Sequence, residues 1–319
     1  MDKKINLLIT GGAGFIGSNL VEYFLQDKRV GLVRVLDNLS NGYIENIKEF
    51  FDHPNFEFIE GDIRDYKTCL TACNGIDKIS HQAALGSVPR SIENPVQSAE
   101  VNILGTVNLM YAAVQKNVER IILAFSSSTY GDHQDLPKIE ENIGHPLSPY
   151  AATKAAIEQF AEVFGKTYGL KWIGMRYFNV FGPKQNPHNP YAAVIPKFCL
   201  ASIENKTIQV FGDGNTSRDF TYIANVIDFN DKALYTNSSN SINKTYNVAC
   251  SKSITLNEVI SLIEKLSSKK EKVEYFPFRQ GDVMHSLASI EKASSLLGYS
   301  VKVHFAEGLR MYYQSLIND

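Results

Sequence analysis

The sequence predicts an α/β fold: a doubly wound parallel sheet followed by a smaller C-terminal α/β lobe. Three observations predict it. Short apolar runs alternate with helical periodicity as far as Gly182. Glycines, acids and hydroxyls gather just past the C-terminal ends of those runs, where the ligand crevice of such a sheet opens. Beyond Gly182 the alternation loosens. The expected division is therefore residues 1–182 and 183–319, with some later segments returning to the main sheet.

The first strand is expected over residues 5–10, followed by Gly11, Gly14 and Gly17 at every third position and a helical pattern from Ser18 to Leu25. A glycine turn between strand and helix lets backbone N–H groups approach a pyrophosphate at the positive helix end, the Rossmann arrangement for a dinucleotide. A second strand, Leu32 to Leu36, runs into Asp37, twenty positions after Gly17. An acid there suits the adenosine ribose hydroxyls and repels a 2′-phosphate, which favours NAD over NADP. The third strand, Phe56 to Ile59, leads to Asp62, and the fourth, Asp77 to His81, ends in Gln82, Ala83 and Ala84. Small residues at that end let a flat cofactor lie against the backbone. One long helix is expected from Asn94 to Asn117, then a fifth strand, Arg120 to Phe125, which empties into three serines, Ser126–Ser128.

Residues 148–156 open the next helix: Ser148 can cap it, Pro149 suits its first position, and alanines follow. Tyr150 and Lys154 are four apart on it and share a face. A phenol beside an ammonium is an acid/base device. Lowering a phenol from pH ~10 to neutrality needs about 4 kcal/mol of differential stabilisation, part of which a fixed positive charge supplies. A sixth strand, Lys171 to Met175, follows. The second lobe reads as helix 191–204, strand Ile208–Phe211, a polar loop 212–220, helix 225–236, strand Tyr246–Val248, helix 256–266, strand Val273–Phe276 and two helices within 289–317. Arg218 and Arg279 sit in glycine- and aspartate-rich loops, where a guanidinium can fork onto phosphate oxygens; Asp282 is a candidate for ribose hydroxyls.

Composition narrows the function classes. A net charge of −2 gives no electrostatic reason to expect nucleic acid or an anionic membrane. No apolar run approaches a membrane span, and the first strand is too brief for a signal peptide. Cys69, Cys73, Cys199 and Cys250 form no metal-type pair, so no metal is expected; they read as reduced thiols suited to the cytoplasm.

The glycine loop, the serine strand end, Tyr150 with Lys154, and Arg176 to Asn179 together resemble the extended short-chain dehydrogenase/reductases, over nearly the whole chain. The stretches 81–91, 126–132 and 192–197 are similar to bacterial UDP-N-acetylglucosamine 4-epimerases of surface-polysaccharide pathways. The resemblance implies a cofactor role for Gly11, Gly14, Phe15, Ile16, Gly17, Asp37, Asn38, Asn41, Gly42, Asp62, Ile63, Gln82, Ala83, Ala84 and Tyr177. It implies that Lys154 holds the nicotinamide ribose, Tyr150 is the base and Ser126 the catalytic hydroxyl. For the UDP-sugar it implies Asn179, Ala193, Val194, Lys197, Val210, Arg218, Arg279 and Asp282, with Gly86, Ser87, Ser127 and Ser286 around the sugar. A small Ser286 leaves room for an acetamido group. UDP-glucose and UDP-N-acetylglucosaminuronate are the alternative substrates. Dehydratases of the superfamily carry Asp-Glu just after the catalytic hydroxyl; here Ser127 and Ser128 stand there, which disfavours water elimination. A non-catalytic NAD-binding sensor is the reading from another class, and such proteins commonly lose the Tyr or Lys kept here. A homodimer through the helices near 94–117 and 150–168 is also implied, with Leu104, Val107, Leu109, Met110 and Ala113 as candidate apolar surface on the first.

Overall fold

A computed structural model describes residues 3–189, 191–278 and 284–318. Seven strands form the central sheet: Ile5–Thr10 (β1), Val30–Asp37 (β2), Phe56–Glu60 (β3), Lys78–His81 (β4), Arg120–Ser126 (β5), Trp172–Tyr177 (β6) and Lys244–Val248 (β7). Their order is β7-β6-β5-β4-β1-β2-β3, and every neighbouring pair is parallel. The order in which successive strands are added reverses between β1 and β4, so a crevice opens beyond their C-terminal ends. The strands are apolar on both faces, as a sheet covered on both sides requires. Leu7, Ile9, Val33, Val35 and Ile173 face one core, and Leu8, Leu36, Ile121, Leu123 and Trp172 the other.

The helices of the first 180 residues are Phe15–Leu25 (α1), Tyr66–Ala72 (α2), Val88–Glu93 (α3), Pro95–Ala99 (α4), Thr106–Gln115 (α5) and Pro149–Tyr168 (α6). The long helix expected from Asn94 to Asn117 is interrupted: Glu100–Gly105 between α4 and α5 is π-helical. Asn102 in this stretch turns its side chain inward to satisfy the loop after β4, and π stretches commonly serve such local demands. Further on come Val194–Ile203 (α7), Ile223–Tyr235 (α8), Leu256–Ser267 (α9), Glu291–Leu297 (α10) and Phe305–Asn318 (α11). A capping box of Thr255 and Glu258 starts α9. Segments past residue 183 reach the main sheet: β7 pairs with β6, and α8 packs on α1 and β5.

The stretch 212–220 is not wholly a loop. Ser217–Asp219 pairs antiparallel with Ser253–Thr255. Nothing in its polar composition announces a strand; the pairing is set by a partner more than thirty residues away, and buried Asp219 accepts from Cys250 N at 2.8 Å and Ala288 N at 3.2 Å. The five apolar residues Leu104, Val107, Leu109, Met110 and Ala113 divide between core and surface. Leu109, Met110 and Ala113 are buried in the core against the sheet, and only Leu104 of the five is fully exposed, at 50 %.

Candidate active site

A cleft of about 580 Å³ lies beyond the C-terminal ends of β1, β2, β4 and β5. Its floor is the glycine turn. Gly11 has φ +68°, and a Cβ there would stand 2.7 Å from Ala83 N; at Gly17 a Cβ would stand 2.1 Å from Gly11 O. Only glycine allows loop, strand end and helix to approach so closely. Gly14 caps α1 without a side-chain bond to its first-turn N–H groups, which suits the oxygens of a pyrophosphate.

Asp37 ends β2 and is buried, accepting from Ala13 N at 2.9 Å and Leu39 N at 2.8 Å. Burial pushes its pKa up, against those backbone bonds. It therefore braces the glycine loop as well as facing the cleft. Asp62 behaves oppositely: the Arg64 guanidinium holds its pKa down to about 2, helped by Asn38 Nδ2 at 2.8 Å. Residues from distant loops tie across the mouth. Asn41 Oδ1 accepts from Arg90 Nη2 at 3.2 Å and Asn189 Nδ2 at 3.5 Å. Asn186 Nδ2 donates to Tyr43 OH at 2.8 Å, and the Arg90 guanidinium lies 4.7 Å from the Tyr191 ring centre.

At the other end α6 delivers the acid/base pair. Ser148 caps it, accepting from Ala151 N, and Pro149 opens it. Tyr150 is half-buried on the cleft wall. The Ser126 hydroxyl accepts from Ser128 N at 3.2 Å and Ser128 Oγ at 2.9 Å, so its own proton is left to meet the Tyr150 phenol. Lys154, 4 % exposed, donates to Ala124 O at 2.8 Å, with its Nζ 5.9 Å from the Tyr150 ring centre. The expected acidic phenol is not what the protein alone produces. Burial pushes the Tyr150 pKa above its ordinary value, against the Ser126 hydrogen bond. Burial also lowers Lys154 to about 8, against the Glu158 carboxylate. Desolvation outweighs the one-turn proximity of the cation.

A buried polar network fixes both ends. Thr106 Oγ1 donates to Asn102 O at 2.6 Å, so it accepts from His81 Nε2 at 2.9 Å, leaving His81 Nδ1 to accept from Thr10 Oγ1 at 2.6 Å. His81 is thus a neutral imidazole, lowered to about 3 by burial. The Asn102 side chain bonds Leu85 N, Leu85 O and Thr153 Oγ1 at 2.8, 3.1 and 3.0 Å. One residue thereby joins the Ala83–Ser87 wall to the turn of α6 between Tyr150 and Lys154. Within that wall Ser87 holds φ +96°, a strained value that persists where neighbours over-determine it.

All the expected cofactor residues line this cleft, as do Gly86, Ser87, Ser126, Ser127, Tyr150, Lys154, Asn179 and Ala193. Tyr177 donates to Gln82 Oε1 at 3.1 Å, steadying both. Val194, Lys197, Val210, Arg218 and Ser286 are not among the lining residues. Val210 is fully buried because the inward positions of strand Ile208–Phe211 feed the core. Arg218 donates to Ser217 O and Met284 O at 2.9 and 3.2 Å, and Ser286 N to Ser217 O at 3.0 Å. These contacts hold both beside the Ser217–Asp219 strand. Arg279 and Asp282 lie outside the described residues. Sequence reading missed Arg90, Lys184 and Tyr191, which line the cleft, and Asn102 and Glu158 behind it. Only Glu158 left a signal, being four residues beyond Lys154 on one helix face.

Residues 8–312 match the family described as GDP-mannose 4,6 dehydratase. The chain belongs to that family of extended short-chain dehydrogenase/reductases. A solved structure of the fold is the UDP-N-acetylglucosamine 4-epimerase from Methanobrevibacter ruminantium in complex with UDP-N-acetylmuramic acid. It is 35 % identical, covers 99 % of each chain and superposes with a TM-score of 0.93. The Thermus thermophilus UDP-glucose 4-epimerase complex with NAD is also 35 % identical, covering 98 % of this chain and 99 % of that one, with a TM-score of 0.88. The UDP-glucuronate 4-epimerase of Thermodesulfobacterium geofontis is 34 % identical, over 95 % of this chain and 93 % of its own. Three different sugars thus occur among similarly close members of the family.

Proposed function

We propose that the chain interconverts UDP-N-acetylglucosamine and UDP-N-acetylgalactosamine. At the coarser level it is an NAD-dependent UDP-sugar 4-epimerase. The observation that carries the mechanism is the placing of the Ser126–Tyr150 pair and the Gly11–Gly17 turn on walls of one cleft. Bound NAD supplies the hydride acceptor and donor at sugar C4, together with a positive ring beside the phenol. Gly11, Gly14, Gly17, Asp37 and Lys154 would hold it. Tyr150 takes the 4-hydroxyl proton, and Ser126 bonds the same sugar oxygen as it gains charge. Lys154 supports the phenolate through its charge. The keto sugar turns about its pyrophosphate linkage, so that the hydride would come back to the opposite face of C4 while Tyr150 returns the proton to O4, giving the inverted 4-hydroxyl. With Ser127 and Ser128 in place of an acidic pair, no group adjoins Ser126 to drive elimination.

The N-acetyl preference is supported by space. A Cβ at Gly86 would meet nothing within 4 Å, and Ser87 and Ser127 keep that wall low. Lys184, a cation on the cleft wall, is paired with Glu22 at 2.8 Å, which argues against its serving a uronate carboxylate. Purified protein incubated without added NAD should epimerise UDP-N-acetylglucosamine in a proton NMR assay. A larger kcat/KM for UDP-glucose or for UDP-N-acetylglucosaminuronate would replace the assignment.

The proposal extends to assembly and setting. Residues from 183 onward form a second lobe that supplies part of the nucleotide-sugar side, with Gly86, Ser87, Ser127 and Asn179 supplying the rest. The chain forms a homodimer through the helical stretch near 94–117 and α6, where Leu104, Tyr111, Phe160, Val163 and Tyr168 are exposed and Tyr66, Tyr111 and Tyr168 run ring against ring. No described helix is long and apolar enough to cross a membrane, and the four cysteines are free thiols, which fits the cytoplasm.

A further inference from the structure

Tyr150, Lys154 and Glu158 stand one turn apart along α6. Glu158 has no place in the proton transfer, yet it is firmly anchored. Arg176, at the end of β6, forks onto it: Nη2 to Oε2 at 2.6 Å and Nε to Oε1 at 3.0 Å. Both side chains are nearly buried, at 4 % and 12 % exposure. The remaining face of the guanidinium is also used. Nη1 donates to Glu140 O at 2.8 Å, and the group lies 4.8 Å from the Tyr130 ring centre. Tyr130 OH donates in turn to Asn247 Oδ1 at 2.6 Å, while Asn247 N donates to Glu140 Oε1 at 2.8 Å. Glu158 therefore has no freedom to turn to solvent.

Lys154 needs such a partner. It is a buried cation that donates to a neutral carbonyl, Ala124 O. A buried ammonium with no counter-charge gives up its proton. The groups around it are few. From β4 comes His81, neutral and bonded on both nitrogens. From β5 come Ala124 O and the Ser126 hydroxyl. Arg176, on β6, shares the Glu158 carboxylate through its fork and does not use it up. On α6 itself Tyr150 is an uncharged phenol, and Glu158 is the carboxylate that acts on Lys154. Side chains at i and i+4 sit about 5–6 Å apart at Cβ, and in a dry site that distance counts for more than on a surface.

We propose that Glu158 is a positioning residue for the epimerisation: locked on the Arg176 fork, its carboxylate is the counter-charge that keeps the Lys154 ammonium charged and anchored at Ala124. The inference rests on the 4-epimerase reading only for its kinetic half. Its direct half is the titration of Lys154, which needs no substrate.

Glu158→Gln keeps the size and acceptor geometry but removes the charge. In NMR of 15N-lysine-labelled protein, with the Lys154 signal assigned by its loss in Lys154→Met, the wild-type ammonium should titrate near 8. In Glu158→Gln it should titrate about one pH unit lower, and the alkaline limb of the kcat profile should move down with it. At pH 8 kcat then falls about fivefold, and at pH 6 it changes less than about twofold. KM for the UDP-sugar stays within about twofold, and Glu158→Asp restores the limb. A variant that melts earlier but leaves the Lys154 titration and the limb in place would make the pair a structural staple and overturn the proposal. If the single variant does not fold, Glu158→Gln with Arg176→Gln removes both charges together. A lowered Lys154 titration in that protein supports the proposal, and an unmoved one rejects it. Absence of epimerase activity alongside a shifted titration would reject the 4-epimerase reading and leave the electrostatic role standing.

Discussion

The two halves of the cleft are built by different means. The half assigned to the nucleotide cofactor is made of backbone: the ends of β1, β2 and β4, drawn together so tightly that a methyl group on Gly17 would stand 2.1 Å from a carbonyl oxygen. The half assigned to the sugar nucleotide is made of side chains on separate loops, among them Ser87, Ser127, Asn179 and Ala193. Neighbouring strands in a parallel sheet hold their relative positions to fractions of an ångström, and a loop does not. The first half tolerates little change. The second can be re-cut for another sugar without touching the first, which is why relatives named for three sugars share one fold at TM-scores near 0.9.

The contrast can be broken at three places. The largest effect belongs to the group common to both halves. Tyr150→Phe should lower kcat at least about a hundredfold with substrate binding kept, since proton-transfer groups contribute 10²–10⁴. A loss below tenfold would remove Tyr150 from that role. Next comes Gly17→Ala, aimed at the backbone half alone. Nucleotide released from the denatured protein and measured by absorbance should drop to about a tenth of the wild-type content or less, because the displaced partner is main chain. Full NAD content in that variant would show the turn to be more yielding than its spacing implies. The smallest change to catalysis should come from Val163→Glu on the outer face of α6, where Val163 is 52 % exposed. Light scattering should report a monomer, with kcat within about twofold; an unchanged dimer would place the interface elsewhere.

The same contrast explains what is legible in the sequence. The strand–turn–helix at Gly11–Gly17, Asp37 at a strand end, and Ser126, Tyr150 and Lys154 are all readable, because local spacing decides where such residues go. The parallel, doubly wound sheet follows from alternation. What cannot be read depends on contacts distant in sequence. Val210 reads as a substrate contact, but strand alternation turns it into the core. Ser217–Asp219 reads as loop because its pairing partner lies at 253–255. The break in the long helix at 100–105 exists to aim Asn102 at Leu85 and Thr153, a demand set by tertiary structure and invisible to periodicity. A helix spacing also shows which charges stand near Tyr150 but not how dry the site is, and without the charge of a bound cofactor burial pushes the phenol up.

The ties over the mouth carry a last consequence. Asn186 to Tyr43, Asn189 to Asn41, and Arg90 between Asn41 and Tyr191 lace together three loops well separated along the chain. Whatever sits behind that lacing must undo several polar contacts to escape. An enzyme that hands its electrons back to the molecule they came from never has to send its carrier out for recharging, so a door that opens reluctantly costs it nothing in throughput.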